Sequence, residues 1–378
     1  MTNMHNLFFE LLQIALGTRQ KLSFIPQEEE WQEAYDVSCK QTLAGIGFKG
    51  TQEASNHDVA VVVNLPLQLK MQWLALAVNI EKHNEMMNQR CSELYKMLKK
   101  DGYDSCVLKG QAVARLYDQP CEKLGALRQS GDIDIWMMED ADSAIQWAKR
   151  TGTMYYFDYH HADLKLFDNV ETELHYRPSI SRNLWRNIRL QRWFKGEGKK
   201  HIGYDQRLGF CVPDDVFSLV LTLNHNLWHL LYEGVGLRQM MDLYFVARVS
   251  QPSDEKSRLL RHFGLGRFAA ASAWVLWQVF DGGKMDSFLI SARSPLPKPD
   301  ERGGRFLLHE IMLAGNFGHY DERLKGNRYA SSHRLLSQWL RHVTRLCRYY
   351  PLEALWTPFG IIYISLWRRW KKAVKGMN

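Results

Sequence analysis

The chain has 378 residues, 46% of them hydrophobic and 24% charged, with a formal net charge of +8. That length and mix describe a folded protein of two or three structural units and exclude a disordered or low-complexity chain. The six cysteines (Cys39, Cys91, Cys106, Cys121, Cys211 and Cys347) form no C-x-x-C pair, which argues against a zinc site and a disulfide framework and for a reducing, cytoplasmic setting.

Residues 1–17 carry Leu7, Phe8, Leu11, Leu12 and Ile14 beside Glu10 and lack the basic start of a signal peptide, so they read as an amphipathic helix that docks on the fold. Helical spacing continues through Trp31, Ala34 and Val37 and along the stretch from Trp73 to Leu98, which holds neither proline nor glycine. From Gly102 the pattern changes. Ser105 to Leu108 reads as a buried strand, Gln111 to Tyr117 as a short helix, Ile133 to Met138 as a strand and Asp140 to Lys149 as a helix. Met154 to Phe167 and Val170 to Tyr176 alternate like two strands joined at Asp168-Asn169. After Pro178 the chain returns to helix, with dense apolar faces over 214–231, 237–250 and 259–280, a loop over 291–304, and a helix stop at Gly315 to Gly318. These spans divide the chain into an N-terminal helical region (1–100), a small mixed α/β core (101–180), a C-terminal helical region (181–350) and an amphipathic basic tail (351–378).

Charge is clustered. Eight basic residues between Arg177 and Lys200 face one acid, Glu197, and Arg368, Arg369, Lys371, Lys372 and Lys375 close the chain. Such patches attract nucleic acid, anionic lipid or nucleotide phosphates, or simply form solvated faces. The apolar segment Leu355 to Trp367, broken by Pro358 and Gly360, is too short to span a bilayer core of ~30 Å, and either lies on a membrane surface or covers part of the protein core.

The chemistry concentrates in Gly131-Asp132-Ile133-Asp134-Ile135. In a strand, alternation puts Asp132 and Asp134 on one face and the isoleucines on the other. Two carboxylates held so close repel unless a cation sits between them, and hard oxygen donors suit Mg²⁺, or Mn²⁺ in its place, bound together with a phosphate-bearing substrate. The alternative is a strand end with both carboxylates in water. A third carboxylate is offered by Glu171-Thr172-Glu173-Leu174-His175, whose odd positions share a face. Lys109-Gly110 opens a helix directly after a strand, where free N–H groups accept a phosphate, and Arg128, Ser130 and Gly131 precede the aspartates as further donors. Arg238 and Asp242 are spaced to pair along one helix face, or to form the acceptor side of a cleft. His225 and His229 share that spacing but lack a following glutamate of zinc-protease type, and read as lining a domain interface.

Leu108-Lys109-Gly110, Leu116-Tyr117, Arg128-x-x-Gly131-Asp132-Ile133-Asp134 and Glu173-Leu174-His175 together resemble the uncharacterised bacterial nucleotidyltransferase family of the polymerase-beta-like superfamily. The resemblance implies an α+β fold in which a small mixed-sheet core is flanked by N-terminal and C-terminal helical regions. It implies that Gly110 is the glycine turn, Asp132 and Asp134 the metal pair and Glu173 the third ligand, with Lys109, Arg128, Ser130 and Gly131 toward the nucleotide. Lys109-Gly110-Gln111 stands where the superfamily commonly has a Gly-Ser pair. The function implied is Mg²⁺-dependent transfer of a nucleoside monophosphate from an NTP to an unidentified acceptor: a small molecule, a sugar or a protein. The competing readings are a catalytically inactive protein that keeps the fold for regulation or interaction, and nucleic-acid binding through the Arg177 to Lys200 patch. The cysteine pattern implies a cytoplasmic setting, with peripheral contact at the inner membrane face if the basic tail lies on a membrane and not on the protein core.

Overall fold

The structure, a computed structural model, describes residues 6–57, 64–118, 123–320 and 343–375; Cys121 and the last three residues fall outside them. Four helices open the chain: α1 (Asn6–Ala15), α2 (Glu28–Lys40), α3 (Ala44–His57) and α4 (Leu67–Lys100). Helix α2 starts where the Glu30 carboxylate accepts from the Gln27 backbone N–H at 2.8 Å, satisfying a donor that the first helical turn leaves open. The amphipathic N-terminal helix is buried along Leu7, Phe8, Leu11 and Leu12, as its pattern predicts.

The sheet follows, built from β1 (Ser105–Val107), α5 (Gln111–Tyr117), β2 (Ile133–Met137), α6 (Ala141–Arg150), β3 (Met154–Phe157), β4 (His161–Phe167) and β5 (Val170–His175). Its strand order is β1-β2-β5-β4-β3, with β2 and β5 parallel and every other pair antiparallel. Ile133 and Ile135 enter a core shared with Met87, Leu94 and Leu98 of α4 and Ile145 and Trp147 of α6. The alternation that buries those isoleucines leaves Asp132 and Asp134 on the opposite face.

Beyond the sheet come α7 (Leu184–Lys195), a hairpin of β6 (Ile202–Asp205) and β7 (Phe210–Pro213), then α8 (Asp215–Tyr232), α9 (Leu237–Val249), α10 (Asp254–His262), α11 (Gly266–Phe280), α12 (Glu301–Ala314) and α13 (Pro351–Lys375). Side-chain caps from Asn183, Asp214, Ser253 and Asp300 start α7, α8, α10 and α12. A second apolar core joins Leu7, Phe8, Trp31 and Trp73 of the N-terminal helices to Phe217, Phe245, Trp274 and Ile311 of the later ones. Buried Gln41 ties the two sets: its Nε2 donates to Ile311 O at 3.1 Å and its Oε1 accepts from Leu237 N–H at 2.9 Å. The architecture is thus α+β, a small mixed sheet embedded in helices.

Four local expectations change. The strand anticipated over 154–167 is two strands, because the chain turns at Asp158 to His160. The helix anticipated over 259–280 is α10 and α11, parted at Gly264, whose φ of +69° suits glycine. The β6–β7 hairpin lies within a stretch read as helical, and α12 begins at Glu301, inside the proline-rich segment read as loop. The helix stop holds: Gly315, Phe317 and Gly318 have φ of 64°, 51° and 67°.

Candidate active site

A cavity of about 540 Å³ lies between the polar face of the sheet and helices α8 and α9, with Phe317 and His319 also in its lining. Register places the acids. Asp134 of β2 pairs with Glu173 of β5, and Glu173 pairs on its other side with Asp163 of β4, so three carboxylates stand abreast on neighbouring strands. Asp132, one alternation from Asp134, lines the same cavity, as do Glu173 and His175; Glu171 is exposed and outside it.

Asp134 is buried and accepts at Oδ1 from Lys109 Nζ and His175 Nε2, each at 2.9 Å. Burial alone would raise its carboxyl pKa, but Lys109 and His175 hold it well below the ordinary range. Asp132 has no such hydrogen-bonded cation among the described residues. Its proximity to Asp134, then burial, then Glu173, lift it from 3.8 to about 6. His175 shows the reverse balance: burial opposes its charge, yet hydrogen bonds to Asp134 and Glu173 raise it from 6.5 to about 9. Its Nδ1 also faces Arg177 O at 3.3 Å, so both ring nitrogens meet acceptors, as an imidazolium requires. Ligand atoms of Asp134, Glu173 and His175 lie within 4.8 Å of one another, and so do those of His161, Asp163 and Glu173. Asp132 is in none of these groups; the Asp134 and Glu173 carboxylates suit a divalent cation, and their charge is balanced here by the Lys109 ammonium and the His175 imidazolium.

The sign of the pH dependence follows. Folding favours charged His175, so its stabilisation is complete below pH 6.5 and lost as pH rises through about 9. The metal-free protein is expected to melt progressively lower from pH 7 to 9. Divalent binding should strengthen over the same range as the imidazolium gives up its proton, with proton release visible by calorimetry in two buffers. A flat profile in both measurements would remove His175 from this role.

The other anticipated residues separate into two groups. Gly110 makes the turn from β1 into α5 at φ of 56°, and Lys109, Gly110 and Gly131 line the cavity. Arg128 reaches the cavity wall, but its guanidinium is engaged elsewhere. Nε and Nη2 donate to the two carboxylate oxygens of Asp242 at 2.7 and 2.8 Å, and Nη1 donates to Ser130 Oγ at 3.1 Å. Ser130 does not line the cavity; its hydroxyl lies 2.7 Å from Gln111 Oε1 and 2.9 Å from Asn84 Oδ1. Tyr117 adds a 2.7 Å bond to Asp242, so this network pins α9 to the loop that carries β2.

Because Asp242 is taken by Arg128, Arg238 is left facing the cavity with a buried Nε that has no hydrogen-bond partner among the described residues. Burial and neighbouring Arg128 make its charge costly there, which an anionic ligand would relieve. Six histidines also line the cavity: His160, His161, His175, His225, His229 and His319. His225 Nε2 lies 3.2 Å from Lys109 Nζ and 2.8 Å from His229 Nε2, and burial, then Lys109, keep it well below 6.5. His160 and His161 are brought in by the turn between β3 and β4; the break after Asp158 is the signal that a continuous-strand reading hides.

A family model described as uncharacterised nucleotidyltransferase matches residues 27–281. The chain belongs to that family. The matched span runs from the start of α2 to the end of α11 and contains the whole sheet and the α8–α9 wall of the cavity. Helices α1, α12 and α13 lie outside it. Comparison with curated proteins and with solved structures gives no match.

Proposed function

We propose that the protein transfers a nucleoside monophosphate from an NTP to an acceptor, with a divalent cation, Mg²⁺ or Mn²⁺, held by Asp132, Asp134 and Glu173. The observation that carries this reading is the strand register that sets Asp134 beside Glu173, with Asp132 on the same face of one cavity. The transfer forms a bond from the acceptor oxygen to the α-phosphorus and breaks the bond to the bridging oxygen. Pyrophosphate leaves, and the acceptor's proton passes to Glu173. A bound cation supplies neutralisation of phosphate charge and a lowered pKa at an attacking hydroxyl. Lys109 and Arg238, the cations facing the cavity with the backbone turn at Gly110, bind phosphate oxygens and align the chain of the triphosphate. Arg128 acts one step back, holding α9 and thereby Arg238 in place through Asp242.

A screen of ATP, GTP, CTP and UTP with Mg²⁺ or Mn²⁺ tests the reading, using pyrophosphate release and the mass shift on candidate acceptors. Full transfer in the presence of a chelator would overturn the metal assignment. Arg238→Ala is expected to weaken NTP binding about tenfold, the worth of one charge-assisted phosphate contact. Titration calorimetry reads this directly, and an unchanged affinity would take Arg238 out of the site.

A further inference from the structure

Helix α13 is turned the unusual way round. Its packed side carries polar and charged groups: Glu353 pairs with Arg186, Thr357 Oγ1 lies 3.1 Å from Tyr232 OH, Arg368 donates to Tyr156 OH at 3.2 Å, and Lys371 Nζ donates to Asp142 at 2.7 Å. Gly360 sits against the backbone of Arg182, and Trp367 meets the Tyr159 ring edge-on at 5.1 Å. The opposite side is apolar and outward. Leu352, Leu355, Phe359, Ile362, Leu366 and Trp370 follow one another at three- and four-residue steps and are each 54–61% exposed. A stripe covering the length of a 25-residue helix is far beyond the scattered exposed apolar residues of an ordinary surface. No helix among the described residues is long and apolar enough to cross a membrane.

The neighbouring helix extends that surface. On α7, Trp185, Ile188, Arg192 and Lys195 are all exposed and lie on one helical face. Ile188, Arg192 and Lys195 line a groove of about 330 Å³ with Tyr363 of α13. The exposed charges that α7 and α13 contribute have one sign. Across α7 and α13 the sequence holds a single acid, Glu353, which is buried and paired, while Arg192, Lys195 and Arg369 are exposed. A protein partner would meet this coherent positive rim with a matching acidic surface of its own, but a flat apolar stripe bordered by tryptophan and basic side chains matches both layers of an anionic bilayer surface.

We infer that the α7–α13 face docks the protein on an anionic lipid bilayer, α13 lying in the plane of the interface with its apolar stripe among the acyl chains and the basic residues at the headgroups. The helix is already fastened to the fold by its polar side, so docking needs no rearrangement of the cavity walls.

Flotation of the full chain with vesicles of phosphatidylcholine alone, or with one-third phosphatidylglycerol, tests this. Binding to the anionic vesicles is expected to exceed binding to neutral ones by about tenfold and to weaken as salt rises. Ile362→Glu with Leu366→Glu, both at exposed positions, should abolish flotation while leaving the melting temperature unchanged; Arg192→Glu with Lys195→Glu should remove only the anionic preference. Absence of flotation with either vesicle overturns the inference. So does equal binding to both vesicles, or a dimer in sedimentation velocity that the Ile362/Leu366 variant dissolves, since the stripe would then be a contact between copies.

Discussion

Asp134→Asn is expected to abolish transfer and to destabilise the metal-free protein, whereas Asp132→Asn should abolish transfer and stabilise it. Losing either carboxylate of the cation site removes several kcal/mol of transition-state charge stabilisation, about a thousandfold in rate. The folded states respond oppositely because their charges are balanced differently. Asp134 is the buried acceptor for Lys109 and His175, and its amide would leave Lys109 without its paired carboxylate and His175 with Glu173 alone, a loss of about 3 kcal/mol. Asp132 is lifted from 3.8 to about 6, so folding disfavours its charge; the penalty is absent below pH 3.8, grows from there, and is complete above about 6. At pH 7.5 without metal, Asp132→Asn should therefore melt above the parent and Asp134→Asn below it. Equal melting shifts of one sign in the two variants would contradict this account of the site's electrostatics.

The second large effect lies outside the reacting centre. Asp242→Ala is expected to cost about 3–5 kcal/mol of unfolding free energy, because it strands the buried Arg128 guanidinium and takes the acceptor from Tyr117 at once. Replacing both partners by apolar residues, Arg128→Met with Asp242→Leu, should recover most of that loss, since the damage comes from the unpaired charge. Urea denaturation of Arg128→Met, Asp242→Leu and the double variant closes the cycle. A double variant no more stable than Asp242→Ala would show that Arg128 is not stabilised chiefly by this carboxylate. The double variant should nonetheless bind NTP weakly, because Arg238 would lose the frame that aims it into the cavity.

What the sequence made legible was local. Alternation in Asp132 to Ile135 and Glu173 to His175 declares which side chains share a face, and the helix from Gln111 to Tyr117 follows directly from a strand ending in glycine. Partner choice was not legible. Arg238 and Asp242 stand one helical turn apart and invite pairing, yet Arg128, more than a hundred positions earlier, takes the carboxylate with two bonds. That substitution turns an expected phosphate contact into a brace and leaves Arg238 facing the cavity. The histidine lining escaped for a similar reason: His160 and His161 come in at a turn that hydrophobic alternation does not mark. The tail illustrates the limit of composition, for its apolar residues exist in the number a docked helix needs but point outward.

The two apolar cores have a consequence for how the chain folds. The sheet core draws its principal residues from Met87 to Val212, a continuous stretch, with Trp367 packed at its border. The helical core gathers residues from Leu7 and Phe8 to Leu346 and Tyr350, nearly the whole chain. During synthesis the sheet module can therefore close on itself while the first helices wait for their partners, and the acids on β2 and β5 are aligned before the wall that faces them exists. The cavity is complete only once α8 and α9, which follow the sheet module in the chain, pack against the face that carries the acids.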